Sequence, residues 1–350
     1  MSLVFQNREP GEDGGVRDLS CPTCARRVYF ENHRCLACGT QLGFEPSRFA
    51  MVDAGGSVES GAMVRCANAT LAQCNWVVPA SAAGSLCPSC GLTRTRPPDG
   101  DADARQRFVE AEAAKRRLVA QLFDLRLPIV SFEDHDEGLA FDLLSSRFDQ
   151  VMIGHEDGLI TIDLAETDDA YRERVRTDLG EAYRTVLGHF RHEVGHYYWM
   201  VLVRDTGRLD EFRQRFGDER VDYGDALNSH YGGSGPSGWE DRYVSAYATM
   251  HPWEDWAETF AHYLHLRDTL QTATEMGVKV ADPAIWGGEV PLPEAEHGPF
   301  DELVREWIAL AGVLNAVNRS MGAGDLYPFV LAPKVIAKLA YVDHLVRGTP

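Results

Sequence analysis

The run His192-Glu193-Val194-Gly195-His196 sets two imidazoles four residues apart with a carboxylate beside the first. On a helix that spacing turns both rings to one face, about one turn apart, where they can grip a single Zn²⁺ while Glu193 reaches a water on the metal. Zinc lowers the pKa of such a water toward about 7, and a neighbouring carboxylate can take its proton as the water attacks a carbonyl. The pattern is that of a zinc hydrolase.

Two imidazoles do not complete a catalytic zinc site; a third protein ligand must come from elsewhere and leave the fourth position for water. The segment Met250 to Leu266 (MHPWEDWAETFAHYLHL) becomes helical by periodicity after Pro252 and carries Glu254 and Glu258 four residues apart, on one face. Glu254 is assigned as the ligand. Glu258 then accepts a hydrogen bond from the far nitrogen of a ligating histidine and fixes its tautomer. The reverse assignment, with Glu258 on the metal, stays open, because spacing defines the face and not the depth. Tyr247, seven residues before Glu254, offers a phenol hydroxyl to the oxyanion that forms on the attacked carbonyl. His189, His251, His262 and His265 are read as core or surface histidines, with His251 or His262 as alternative substrate contacts.

These residues need elements to hold them. Leu179 to Arg191 places Ala182, Tyr183, Val186, Leu187 and Phe190 at helical spacings, and Tyr197 to Val203 stays apolar, so the pentapeptide is expected inside one long helix. Before it, Leu127 to Phe132 and Gly158 to Leu164 read as strands. The second is read by default as a half-buried strand, and as an edge strand it would hold an extended substrate by β-augmentation. Arg105 to Leu125 reads as an amphipathic helix, as do the stretch from Phe300 and Pro333 to Val346. The Gly-rich run within Tyr223 to Trp239 reads as a surface loop.

All eight cysteines fall between Cys21 and Cys90 of the 350 residues. Such crowding favours metal thiolates over disulfides. Cys21, Cys24, Cys35 and Cys38 form two C-x-x-C knuckles that supply four thiolates to one zinc, and Cys66, Cys74, Cys87 and Cys90 form a looser second set. A swapped pairing between the sets stays open. Such sites fold a ribbon too small for a real core and do no chemistry. One catalytic and two structural zincs are therefore expected.

Domains are expected at 1–95, the ribbon, and 96–350, the catalytic body, with the break in the Pro- and Asp-rich stretch Arg94 to Ala104. The fold class is α+β: a small β zinc-ribbon domain, then a mostly helical zincin-like domain with a short sheet. The net charge of −19 is uneven, with 9 Lys+Arg against 9 Asp+Glu in residues 1–99 and 25 against 44 beyond. That balance argues against nucleic acid as a partner. No run of about eighteen apolar residues suggests a membrane span, and no secretory signal is visible, so a cytoplasmic location is expected.

Nearly the whole chain resembles the zinc-binding metallopeptidases that carry an N-terminal zinc ribbon, through the paired cysteine sets and the blocks GHFRHEVGHYYW and HPWEDWAETFAHYLH. The resemblance implies a zinc peptidase acting on a peptide or protein and supplies no particular substrate. Around the site the chain is also similar to the gluzincin group of lethal-factor-like and Pro-Pro endopeptidases, whose pattern of Tyr, six residues, Glu, three residues, Glu falls on Tyr247, Glu254 and Glu258. That similarity implies an oxyanion donor, a zinc ligand and a supporting carboxylate in turn. The gap between His196 and Glu254 is longer than in that group. The rival from another class is a non-proteolytic module, in which the ribbon binds a protein partner and the zincin body is an inactive scaffold.

Overall fold

Closely spaced cysteines leave little chain for long strands, and the N-terminal part of the computed structural model is accordingly built on two short hairpins. The structure describes residues 19–55, 62–147, 151–178, 181–232, 237–280 and 299–348. Strand β1 (Leu42–Glu45) pairs antiparallel with β2 (Ala50–Asp53), and β3 (Met63–Arg65) pairs antiparallel with β4 (Val77–Pro79). Fully buried Trp76 and Phe44 have ring centroids 5.2 Å apart, and Phe30 meets Phe44 edge-on at 4.8 Å. This aromatic knot is the small core of the ribbon.

The chain then makes a single turn, α1 (Pro88–Gly91), and a four-stranded sheet of order β5-β6-β8-β7 from β5 (Thr93–Thr95), β6 (Ala140–Leu144), β7 (Gly154–Glu156) and β8 (Leu159–Asp163). Between β5 and β6 runs α2 (Ala102–Asp124), whose first turn is capped by the Asp101 carboxylate accepting the Ala104 N–H at 3.0 Å. It buries Phe108, Ala111, Leu118 and Leu122, the apolar face expected from the sequence.

Two strand expectations are corrected here. Gly158 to Leu164 does contain a strand, but β8 is interior, with β6 parallel on one side and β7 antiparallel on the other. Its hydrogen-bonding groups face neighbours on both sides, so it is no edge for β-augmentation. Leu127 to Phe132 forms no strand; only an isolated bridge joins Ser131 to Leu139. Pro128 has no N–H to give a ladder. The strand that does form is β6, a five-residue run (AFDLL) in which buried Asp142 is held by Arg94 of β5 at 2.6 Å.

A second compact unit begins at Ala170. Its helices are α3 (Asp169–Asp178, which opens at the division), α4 (Val186–Trp199), α5 (Leu209–Phe216), α6 (Tyr223–Gly232), α7 (Pro252–Glu275), α8 (Pro299–Ser320) and α9 (Pro333–Arg347). The motif helix is shorter at its start than its periodicity suggests. Thr185 stops it there, because its hydroxyl accepts the Gly188 N–H at 2.9 Å and caps the first turn. α6 runs into the start of the Gly-rich run expected as a loop, ending at Gly232, and residues 233–236 of that run lie outside the described residues. The C-terminal helices form as expected. Overall the chain is α+β, with a ribbon and small sheets followed by a mostly helical body. Among the described residues, no helix is long and apolar enough to cross a membrane.

The core of the helical unit is the antiparallel pair α4 and α7. Phe190, Val194 and Tyr198 meet Trp256, Phe260 and Leu264, all fully buried, with Tyr198 stacked on Phe260 at 5.2 Å. On the far side, α9 is pinned to α7 by a buried ion pair, Lys338 Nζ to Asp255 Oδ2 at 2.5 Å, and Lys338 also donates to the Arg242 carbonyl at 2.8 Å. Removing one partner of a buried pair leaves the other's charge uncompensated. Lys338→Met is therefore expected to destabilise the unit by roughly 3–5 kcal/mol, read as a lowered thermal midpoint.

Candidate metal centres

Whether α4 can present two imidazoles to α7 depends on how closely the helices approach, and Gly195 sets that distance. A Cβ there would stand 3.0 Å from Ala257 Cα and 3.2 Å from the Ala257 carbonyl oxygen, both backbone atoms. The contact is sealed by Trp256, whose indole N–H donates to the Gly195 carbonyl at 2.8 Å. The pentapeptide's only glycine thus has a packing reason.

Across this contact His192, His196 and Glu254 each turn a donor atom inward, and the three atoms lie within 4.8 Å of one another. His192 Nε2 is 2.9 Å from Glu254 Oε2, and His196 Nε2 is 3.5 Å from Glu254 Oε1. Glu258, one turn further along α7, faces the opposite nitrogen, with its Oε1 2.7 Å from His192 Nδ1. It is held in turn by the Ser245 hydroxyl, which donates at 2.6 Å. The two carboxylates therefore take different places, one shared by both imidazoles and one behind His192.

Glu193 is nine-tenths buried on the same helix, and its Oε1 lies 3.1 Å from His189 Nε2. Burial would raise its pKa, but the His189 hydrogen bond and the fields of His192 and His196 hold it down, to about 2. Glu254 and Glu258 are likewise held below the ordinary range against the pull of burial, by the two motif histidines and by His192 respectively. Burial alone would lower the His192 pKa; contact with the two carboxylates raises it well above its usual value. Buried Glu193 and Glu254 with half-buried Glu258, against two imidazoles, make a cluster with excess negative charge. That donor set suits a divalent cation, and its nitrogen and oxygen donors suit zinc.

The remaining expected residues divide. Tyr247 lies beside the cluster, its ring centroid 5.9 Å from that of His192, and burial pushes its phenol well above the usual range. His251 instead caps α7, accepting the Trp253 N–H at 3.1 Å. His262 bonds the Tyr327 hydroxyl at 2.7 Å, and His265 bonds Arg191 at 2.7 Å. None of these three joins the donor cluster. Three neighbours escape a reading by spacing: Tyr223, which donates to Glu254 Oε1 at 2.9 Å; Ser245; and Trp253, whose ring lies 4.3 Å from that of His196. No local signal ties Tyr223 to a glutamate 31 residues away.

The cysteines gather into two separate sets, Cys21, Cys24, Cys35 and Cys38, and Cys66, Cys74, Cys87 and Cys90, each with sulfurs within 4.8 Å of one another. The pairs Cys21–Cys38, Cys24–Cys35 and Cys74–Cys87 are 3.6, 3.7 and 3.7 Å apart. Zn–S bonds of about 2.3 Å in a tetrahedron put sulfurs about 3.8 Å apart, whereas a disulfide needs about 2.05 Å. The sulfurs also accept backbone N–H groups, as Cys66 does from Asn68 at 3.4 Å and from Cys87 at 3.2 Å. No exchange of cysteines between the sets occurs.

A family model described as "Putative zinc-binding metallo-peptidase" matches residues 104–345, and one described as a zinc-ribbon domain matches residues 18–101. Uncharacterized protein Mb2598c of Mycobacterium bovis and Uncharacterized protein Rv2568c of Mycobacterium tuberculosis are each 48% identical to the chain over 334 residues, covering 95% of both sequences. No solved structure matches it. With its paired cysteine clusters and the histidine–glutamate cluster between α4 and α7, the chain belongs to the zinc-binding metallopeptidase family that this first description names, with a zinc ribbon at its N-terminus.

Proposed function

We propose that the chain is a zinc-dependent peptidase of gluzincin type, with His192, His196 and Glu254 as ligands of a catalytic zinc and the two cysteine sets as structural zinc sites. The observation that carries this reading is the convergence of the three donor atoms within 4.8 Å, with Glu193 beside them on α4. When bound, zinc supplies a water of lowered pKa and a Lewis-acid contact for the substrate carbonyl.

The chain's own residues do the rest. Glu193 takes the proton of the attacking water and later gives it to the leaving amide nitrogen. Glu258 accepts the Nδ1–H of His192, so that Nε2 presents a lone pair, and Ser245 keeps Glu258 in that orientation. Tyr247 donates to the carbonyl oxygen as it gains charge. Tyr223 donates to Glu254 Oε1 at 2.9 Å and orients that carboxylate.

The two carboxylates of α7 then have separable roles. Glu254→Ala is expected to lose the catalytic zinc outright, whereas Glu258→Ala retains the site with about 10–100-fold weaker affinity; metal titration against a chelator reads both. Equal losses, or the reverse order, would put Glu258 on the metal. Tyr247→Phe is expected to keep the metal and lower kcat by about 10²–10³, in steady-state cleavage of a peptide.

A further inference from the structure

We propose that the pocket walled by Tyr183, His265, Trp307, Ala311, Tyr327 and Phe329 takes a large apolar side chain of the substrate, aromatic above all. The proposal rests on the peptidase reading above and adds its side-chain preference. The pocket, partly open to the surface, has a volume of about 210 Å³. An apolar cavity of about 150 Å³ already holds benzene. The space therefore suits a phenyl or phenol ring.

The lining has the chemistry for such a guest. It contains no carboxylate, ammonium or guanidinium group. Its one titratable nitrogen base, His265, is neutral: burial and the nearby Arg191 cation push it well below its usual value. A guanidinium can only donate, so Arg191 Nη1 donates to His265 Nδ1 at 2.7 Å and the ring keeps its proton on Nε2. Arg191 itself is neutralised by Asp268 at 2.6 Å. A charged guest would lose its water and gain no partner.

The walls are also held open. Asn315 clamps the Tyr327 backbone from both sides, donating to its carbonyl and accepting its N–H, each at 2.9 Å. The Tyr327 hydroxyl is bound to His262 at 2.7 Å, and Phe329 packs on the same imidazole at 4.4 Å. His262 lies one helical turn beyond Glu258, and His265 lies seven residues beyond it, about 10 Å along the helix. An extended peptide advances about 3.3 Å per residue. From Glu254 of the cluster to His265 is eleven residues, about 16 Å along the helix, so the pocket lies about five residues of extended peptide from the bond at the cluster.

The test measures binding rather than turnover. Zinc-loaded Glu193→Gln protein, labelled with ¹⁵N, is titrated with the N-acetyl amides of phenylalanine, tyrosine, leucine, alanine and aspartate. The indole N–H signal of Trp307, identified by its loss in Trp307→Phe, is followed. The expected result is at least about tenfold tighter binding of the phenylalanine amide than of the alanine amide, with the aspartate amide weakest. Ala311→Trp, which fills the pocket, and Phe329→Ala, which removes an aromatic wall and widens the pocket, are each expected to erase the preference; a thermal melt identifies a variant that has failed to fold. Equal binding of the phenylalanine and alanine amides, or a preference that survives both folded variants, overturns the proposal. If the preference holds while wild-type protein cleaves no peptide, the peptidase reading fails and the pocket stands. If peptides are cleaved but the amides bind alike, the pocket assignment fails alone.

Discussion

Glu193→Gln is expected to lower peptide hydrolysis by about 10²–10⁴-fold, the range for losing a general base, while leaving the zinc content unchanged. Glutamine preserves the length of the side chain and a hydrogen-bonding oxygen for His189, which lies 3.1 Å from Glu193 Oε1, but it cannot accept the proton of water. Glu193 also lies outside the three-donor cluster, so the substitution removes no ligand. The check pairs elemental analysis with a comparison of peptide termini released from a whole proteome by the two proteins. Three zincs in both chains, with cleavage only by wild type, supports the assignment, and His196→Ala should lose one of the three. A Glu193→Gln protein that cleaves at the wild-type rate would sink it. Two zincs in wild type would favour a scaffold whose ribbon serves a partner.

The second large effect is expected in the ribbon. All four sulfurs of the Cys66 set belong to buried residues, and burial pushes the Cys87 thiol up from its ordinary range. A bound cation would compensate the thiolates gathered there. A structural zinc supplies about 10–16 kcal/mol of apparent folding free energy, as large as the whole stability of a typical domain at about 5–15 kcal/mol. The aromatic knot of Phe30, Phe44 and Trp76 is small by comparison. Cys87→Ser is therefore expected to lose one zinc per chain and unfold the hairpin of β3 and β4, exposing Trp76 to water. A red shift of its fluorescence and loss of near-ultraviolet dichroism would report this, and a strong chelator should reproduce it in wild type. Unchanged zinc content and an unchanged melt would show that the second set is not a structural metal site.

Much of the candidate site is legible without coordinates, because its chemistry is carried by short spacings. A spacing of four from His192 to His196, and of four from Glu254 to Glu258, specifies a common face on any helix. Two residues between knuckle cysteines specify a common pole of a tetrahedron. The α2 and C-terminal helices are legible for the same reason, since their apolar positions recur with the helical period. Where local rules compete, the reading weakens. The apolar run before Thr185 obeys helical spacing, yet the threonine caps the helix after it. The run from Leu127 has strand residues, yet Pro128 removes the donor a ladder needs.

By itself the sequence determined the residue types of all three clusters, the faces on which they sit and the α+β plan. Tertiary structure decided how deep each group lies. Helical period gives a direction around an axis and says nothing of the distance between two axes. That distance is set where Gly195 lets α4 close on the backbone of Ala257, bringing Glu254 to both imidazoles and leaving Glu258 behind His192. Tyr223 and Ser245 enter through the same packing, from segments with no periodic signal. The interior position of β8 is likewise a matter of partners, because a strand's own alternation is the same at an edge and in the middle of a sheet.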